Sequence, residues 1–196
     1  VFYQTTQKDG KRCSAAKAYL VPALDRPNLT VITEANVNKI LIDNNKASGV
    51  EYIDAEGESH IISASKEVLL CSGAFGSPQI LLRSGVVPRE EIEKHGIEHK
   101  VDLPGVGKNL QDHIDYLTVH KYNSMQFIGT SIKAFLIKYP IEVLKYILKK
   151  TGLFTSTIAE AGGFIKSNEA KEIPDIQLHF EPPMVVDHGR TQVWRH

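Results

Sequence analysis

Three small residues, Ser72–Ala74, separate the apolar run Val68–Cys71 from a helical pattern. The helix is predicted to begin at a serine cap, Ser77, with Pro78 in its first turn. Such a strand–glycine–helix junction can turn backbone N–H groups and a helix N-terminus towards an anionic ligand, typically a pyrophosphate. Small residues also allow close packing of a strand on a helix, and the residues alone favour that second interpretation.

A polar cluster, 109–113, follows a glycine-rich loop. Asp112 and His113 can cap backbone groups within a hydrogen-bonded loop, or they can face a ligand, and the residues leave both alternatives open for His113. His95 and His99 lack the spacing of a helical metal site because Gly96 interrupts them, so we expect scattered surface histidines and no metal.

Composition narrows the class of protein. The 196 residues are 42% hydrophobic, and 23 basic residues balance 23 acidic ones. A neutral chain gives no support for nucleic-acid binding, which needs a basic face. Cys13 and Cys71 are predicted to be reduced packing thiols, as expected of a cytoplasmic protein. No apolar run approaches the ~20 residues of a membrane-spanning helix.

Before the helix at Pro78, turn signals separate short β-rich runs. A short helix is predicted at Ser14–Leu20. The predicted strands are Leu29–Glu34, Asn36–Ile42, Ser48–Asp54, Ser59–Ala64 and Glu67–Cys71. The spacing predicts a β-meander, and the last run, apolar on both sides, is expected to be a central buried strand.

In the second half, apolar residues recur at helical spacing over 131–150, interrupted at Pro140, which predicts one kinked helix or two. Five lysines against Glu142 make this segment basic. A basic amphipathic helix suits a membrane surface or the solvated outer face of a soluble domain, and we favour the solvated face. The strands predicted at 158–166 and 175–180 would form an antiparallel sheet.

The stretch 68–85 resembles the second signature of the glucose–methanol–choline (GMC) oxidoreductases, flavoproteins that oxidise alcohols with FAD. One departure is that Val87 follows Val86, where the family usually continues with glycine. Further segments that resemble the family are Arg12–Leu20, Arg26–Val31, Asp102–His113, Ala159–Ile165 and Pro174–Phe180. The resemblance is greatest to choline dehydrogenases and bacterial dehydrogenases of other primary alcohols.

The resemblance implies a mixed α/β and α+β fold. It comprises part of a Rossmann-like FAD-binding domain of the glutathione-reductase type, 1–113, and part of a substrate-binding domain, 114–196. It also implies which residues approach the cofactor; these are Val37 through its backbone, Ser72, Gly73, Ala74, Asn109, Asp112 and His113.

Glu160 stands in a stretch of small residues, where strand alternation makes exposure to water the ordinary explanation. In relatives that oxidise choline, a glutamate at the matching position lies in the substrate cavity. There a carboxylate would anchor a quaternary ammonium. The only tryptophan, Trp194, leaves the aromatic walls of such a site unidentified.

No Gly-x-Gly-x-x-Gly motif occurs in the sequence, and no segment resembles the one that carries the family's catalytic histidine. We therefore expect an internal part of a longer enzyme, with no catalytic residue of its own. The alternatives are an oxidase or a non-redox lyase of the same family, and a non-catalytic α+β binding module.

Overall fold

A computed structural model of the protein describes residues 1–92, 95–120, 134–157 and 159–181. The chain divides into two compact units, one formed by residues 30–115 and the other by the segments on either side. The predicted functional domains, 1–113 and 114–196, stay a prediction, because the compact units reflect only packing within this chain. The strands and helices are β1 (Gln7–Lys8), β2 (Lys11–Arg12), β3 (Asn36–Asp43), β4 (Lys46–Ile53), β5 (Ser59–Ser63), α1 (Gly73–Arg83), α2 (Arg89–Ile92), α3 (Tyr139–Lys149), β6 (Ala161–Ile165) and β7 (Ile176–Phe180).

The unit 30–115 contains the predicted β-meander, an antiparallel sheet in the order β3-β4-β5. Asn44 and Asn45 have φ angles of 50° and 60°, which suit the two-residue turn between β3 and β4. The next turn is held by Asp54, whose Oδ1 accepts the backbone N–H groups of Glu56 at 3.1 Å and Glu58 at 2.8 Å.

Two predicted strands of this unit are absent. Leu29–Glu34 and Glu67–Cys71 are irregular, and within the described residues neither segment pairs with a strand. Leu69 is 77% exposed, so the apolar run around it is not the buried central strand that the sequence predicted. Cys71, at the end of this irregular segment, is exposed and is not the packing thiol that the sequence predicted. A β-prone segment becomes a strand only when a neighbour satisfies its backbone groups.

Helix α1 begins at Gly73, one turn earlier than predicted, and Ser77 and Pro78 lie inside it. Ser77 does not cap the helix; its Oγ accepts the backbone N–H of Ser72 at 3.1 Å and so closes the entry to the first turn. After the helix the chain enters the core of this unit, where the buried apolar residues are Ile40, Ile80, Val86, Val87 and Ile92.

The other unit contains the predicted antiparallel pair, with β6 and β7 in a register that sets Gly163 opposite Leu178. The strand β6 begins at Ala161, and Ile158 lies outside the described residues. Residues 1–3 extend this sheet, since Phe2 bridges to Ala161 and the N–H of Gly162 donates to the carbonyl of Val1 at 3.0 Å.

The predicted basic helix is present as a wide helical turn, Ala134–Lys138, that continues into α3; residues 131–133 lie outside the described residues. Pro140 does not break the helix because it stands in the first turn of α3, where its missing N–H costs little. The predicted helix at Ser14–Leu20 is a wide turn over Ala16–Leu20 that continues into a short 3-10 turn, Val21–Ala23. In the part of the chain that the structure describes, no helix is long and apolar enough to cross a membrane.

Candidate cofactor-binding site

Gly73 adopts a φ of +80°, a left-handed conformation that favours glycine. A Cβ atom added there would meet none of the described atoms within 4 Å. The packing interpretation of this glycine is therefore wrong within the described chain; its backbone conformation accounts for it. Close packing falls instead on Gly76, where an added Cβ would lie 2.9 Å from the Cβ of Ser72.

The N-terminus of α1 is open to solvent, since Ser72, Gly73 and Ala74 are all exposed. The side chain of Ser72 does not cap the helix. The first N–H groups of any helix lack intrahelical acceptors, and here they lie at the end of an eleven-residue helix whose dipole favours negative charge. This set of backbone donors, with no side chain at Gly73 in front of it, suits a phosphate group.

Val37 lies near the start of β3, an edge strand of the meander, opposite Tyr52 of β4. The register shifts between Val37 and Lys39, which is a β-bulge at Asn38. The side-chain amide of Asn38 donates to Glu51 Oε1 at 2.6 Å and, as the largest cause, holds the pKa of that carboxyl below its usual value; Lys39 adds to the effect. The bulge therefore has a fixed geometry beside the backbone of Val37.

Ser84 joins β3 to the end of α1. Its Oγ accepts the N–H of Ile40 at 2.8 Å and donates to the carbonyl of Ile80 at 2.6 Å, and both bonds are buried. This role of Ser84 was not predicted from the sequence, although Ser84 lies within the signature stretch. These two hydrogen bonds hold α1, which begins at Ser72–Ala74, against β3, which carries Val37.

The loop 103–113 carries the other predicted cofactor residues on an exposed surface. Asn109 has a φ of 57°, a conformation that asparagine tolerates better than most residues. Asp112 Oδ1 accepts the backbone N–H of His113 at 2.8 Å, which is the local capping that one interpretation predicted. Lys108 ties the loop to α2 through Glu91, at 3.3 Å.

Val37, Ser72–Ala74 and 109–113 thus all belong to the unit 30–115. Glu160 belongs to the other unit, immediately before β6, where it is exposed. The carbonyl of Glu160 accepts the N–H of Tyr3 at 2.8 Å, so its backbone is fixed while its carboxylate faces solvent.

His99 is not the surface histidine that the sequence predicted, because its side chain is only 14% exposed. Its Nε2 lies 3.1 Å from the carbonyl oxygen of Val87. Val87, the residue that departs from the signature, is fully buried, and its N–H donates to Val101 at 3.0 Å. The residue at which this sequence departs from the family signature, Val87, is therefore a core residue. Among the described residues, no three His, Cys, Asp or Glu side chains are grouped as a metal site would need.

The exposed N-terminus of α1, with its left-handed Gly73, is suited to bind an anionic group such as the phosphate of a cofactor. The family model described as "GMC oxidoreductase" matches residues 1–115, and the chain belongs to that family. This confirms the resemblance, the class of fold and FAD as the family's cofactor.

Relatives match nearly the whole chain. An alcohol dehydrogenase [acceptor] of Pseudomonas putida is 44% identical over 96% of this chain and 34% of its own length. The mitochondrial choline dehydrogenase of Homo sapiens is 43% identical over 95% of this chain and 31% of its own length. The structure of an FAD-dependent oxidoreductase from Chaetomium thermophilum matches 75% of this chain and 26% of its own, at 32% identity and a TM-score of 0.64. The chain thus spans about a third of the length of the curated relatives it matches.

Proposed function

We propose that the chain is part of an FAD-dependent oxidoreductase that acts on the CH–OH group of a primary alcohol, choline or a similar one. The observation that carries the proposal is the left-handed Gly73 at the exposed start of α1, in a chain of this family. A side chain at Gly73 would project in front of the helix amides, where an anionic group of the cofactor must approach them.

The predicted cofactor residues would each bind a different part of FAD. The backbone amides of Gly73 and Ala74 would bind phosphate, and the backbone of Val37 would bind the adenine ring through its N–H and C=O. Asn109, Asp112 and His113 would line the flavin side. FAD, when bound, accepts the hydride that leaves the alcohol, and the residue that takes the alcohol proton is expected outside this chain.

Glu160 is proposed to select the substrate. Its exposed carboxylate has no described ion-pair partner, so it is available to a quaternary ammonium such as choline. A permanent cation suits this residue, because no proton transfer can remove the attraction. A cytoplasmic location is part of the same proposal.

The test compares two glycines with matched backbone strain. Gly73 and Gly57 have φ angles of +80° and +88°, and an added Cβ would meet no described atom within 4 Å at either. Alanine at either site costs about 1–2 kcal/mol through its left-handed backbone. In the full-length protein, Gly73→Ala should lower the FAD content at least tenfold, whereas Gly57→Ala should keep it and lose similar thermal stability.

Equal FAD content in both folded variants would contradict the role of Gly73. The alternatives are separated by two further measurements on the purified protein. Oxygen consumption with alcohol identifies an oxidase, and flavin absorbance that alcohol does not bleach identifies a non-redox lyase. Absence of flavin absorbance altogether would indicate the non-catalytic binding module.

A further inference from the structure

Residues 1–3 run beside β6 and set Tyr3 opposite Glu160. Phe2 bridges antiparallel to Ala161. The N–H of Tyr3 donates to the carbonyl of Glu160 at 2.8 Å, which continues the same register by one residue. Residues that stand opposite each other in an antiparallel pair project from the same face of the sheet. The side chains of Tyr3 and Glu160 therefore leave the sheet on one face, which we call the Tyr3 face.

The side chain of Tyr3 lies across β6 because Gly162 has no side chain to exclude it. A Cβ atom added to Gly162 would overlap the Tyr3 hydroxyl. That hydroxyl donates to the carbonyl of Leu178 in β7 at 2.7 Å and lies 3.4 Å from Nδ1 of His179. The rings of Tyr3 and His179 meet edge to face, with centroids 5.6 Å apart and an interplanar angle of 60°. The position of the Tyr3 ring is therefore fixed by contacts with both strands.

An open cleft of about 420 Å³ lies beside the rings of Tyr3 and His179. This volume is within the range of small-molecule sites. The part of its wall that the structure describes carries hydroxyl groups, amides and the two rings, and includes no lysine or arginine. Ala159, which directly precedes Glu160, also lines the cleft. Glu160 therefore stands at the edge of a cleft whose described wall contains no fixed positive charge to repel a cation.

The opposite face of the same sheet has a different chemistry. Strand alternation and the β6–β7 register place large apolar side chains there. They are Phe2, Ile165, Ile176, Leu178 and Phe180. Phe2 is 86% exposed, and its ring projects from this opposite face although it is the residue next to Tyr3 in the sequence. Phe2 therefore provides a matched control, an exposed aromatic residue close to the cleft that does not face it.

We propose that Tyr3 forms an aromatic wall that selects a quaternary ammonium substrate together with Glu160. This inference rests on the proposed role of Glu160 and extends it to the residue opposite. A cation is attracted to the face of an aromatic ring when it lies within about 6 Å of the ring centroid. Since opposite residues of antiparallel strands have Cα atoms only about 4.5–5.5 Å apart, one trimethylammonium group can contact the carboxylate and the ring together.

The test compares choline with its neutral isostere, in which a tert-butyl group replaces the trimethylammonium group. The choline preference of the full-length FAD-loaded enzyme is the KM for the neutral alcohol divided by the KM for choline. Tyr3→Leu should lower this ratio about three- to thirtyfold with kcat nearly kept, and Tyr3→Met, which also lacks a ring, should do the same. Tyr3→Phe keeps the ring and should keep the ratio within about twofold. The control Phe2→Leu should leave the ratio unchanged.

Glu160→Gln, measured in the same way, separates this inference from the proposed function. A lower ratio in Glu160→Gln with an unchanged ratio in Tyr3→Leu would overturn the aromatic wall and leave the role of Glu160 intact. A lower ratio in Tyr3→Leu alone would support the wall and contradict the role of Glu160. A wild-type enzyme that does not favour choline over the neutral isostere would overturn both. Equal losses in Phe2→Leu and Tyr3→Leu would also overturn the wall, because the effect would not depend on the Tyr3 face.

Discussion

Replacing Ser84 with alanine tests how the strand and the helix of the candidate site are joined. The Oγ of Ser84 is the acceptor for the N–H of Ile40, at 2.8 Å. Ser84 is 7% exposed and Ile40 9% exposed, so water cannot readily replace the lost acceptor. The carbonyl of Ile80 loses less, because it also accepts the backbone N–H of Ser84 at 3.0 Å.

The loss of stability follows from one buried donor, the N–H of Ile40, that is left without an acceptor. An unsatisfied buried donor costs about 1–3 kcal/mol of free energy. A central value of about 2 kcal/mol corresponds to a roughly 30-fold rise in the opening equilibrium of this contact, since 1.4 kcal/mol is tenfold. The free energy of local opening around Ile40 should fall by that amount, with a smaller change at β5, which among the described strands pairs with β4 alone.

Hydrogen–deuterium exchange of the full-length protein measures this directly. The amide of Ile40, isolated by overlapping peptides, should exchange roughly 30 times faster in Ser84→Ala. This holds under conditions where the local structure recloses faster than the exposed amide exchanges. Ser63→Ala, the same chemical change on the exposed strand β5, should leave the exchange of Ile40 unchanged. Exchange of Ile40 within threefold of the wild type would refute the reasoning, because the N–H would then have another acceptor.

Three further predictions address the other groups. Glu142→Gln should destabilise the protein by about 1 kcal/mol, measured by thermal unfolding, while the exposed Glu172→Gln should have no effect. The hydrogen bond from Lys145 is the largest of the causes that lower the pKa of Glu142 below its usual 4.5. The stability that Glu142 contributes is therefore full above that pH and is lost as the pH falls through the lowered pKa. Glu160→Gln in the full-length enzyme should raise KM for choline roughly ten- to a hundredfold with kcat nearly kept; an equal rise for an uncharged alcohol of similar size would contradict an ion pair. The 196-residue chain alone should not retain FAD after dialysis, because it has no Gly-x-Gly-x-x-Gly loop, and a stoichiometric yellow complex would disprove this.

The sequence by itself was enough for the local elements and the family. Alternation and turn residues predicted the meander within one or two residues of β3, β4 and β5, because hairpins of adjacent segments depend on short-range pattern. The signature stretch and the segments around it predicted the GMC family, and with it FAD and the class of fold.

Tertiary structure decided whether each segment found a partner. Glu67–Cys71 has the composition of a buried strand but is irregular, because strand formation depends on a neighbour that the composition of the segment does not contain. In the same way, Glu142 became a buried carboxylate because Lys145 and the N–H of Leu153 satisfy it. Gly73 was recognised as important from the sequence, but only its φ and the open space around it distinguish a backbone requirement from packing.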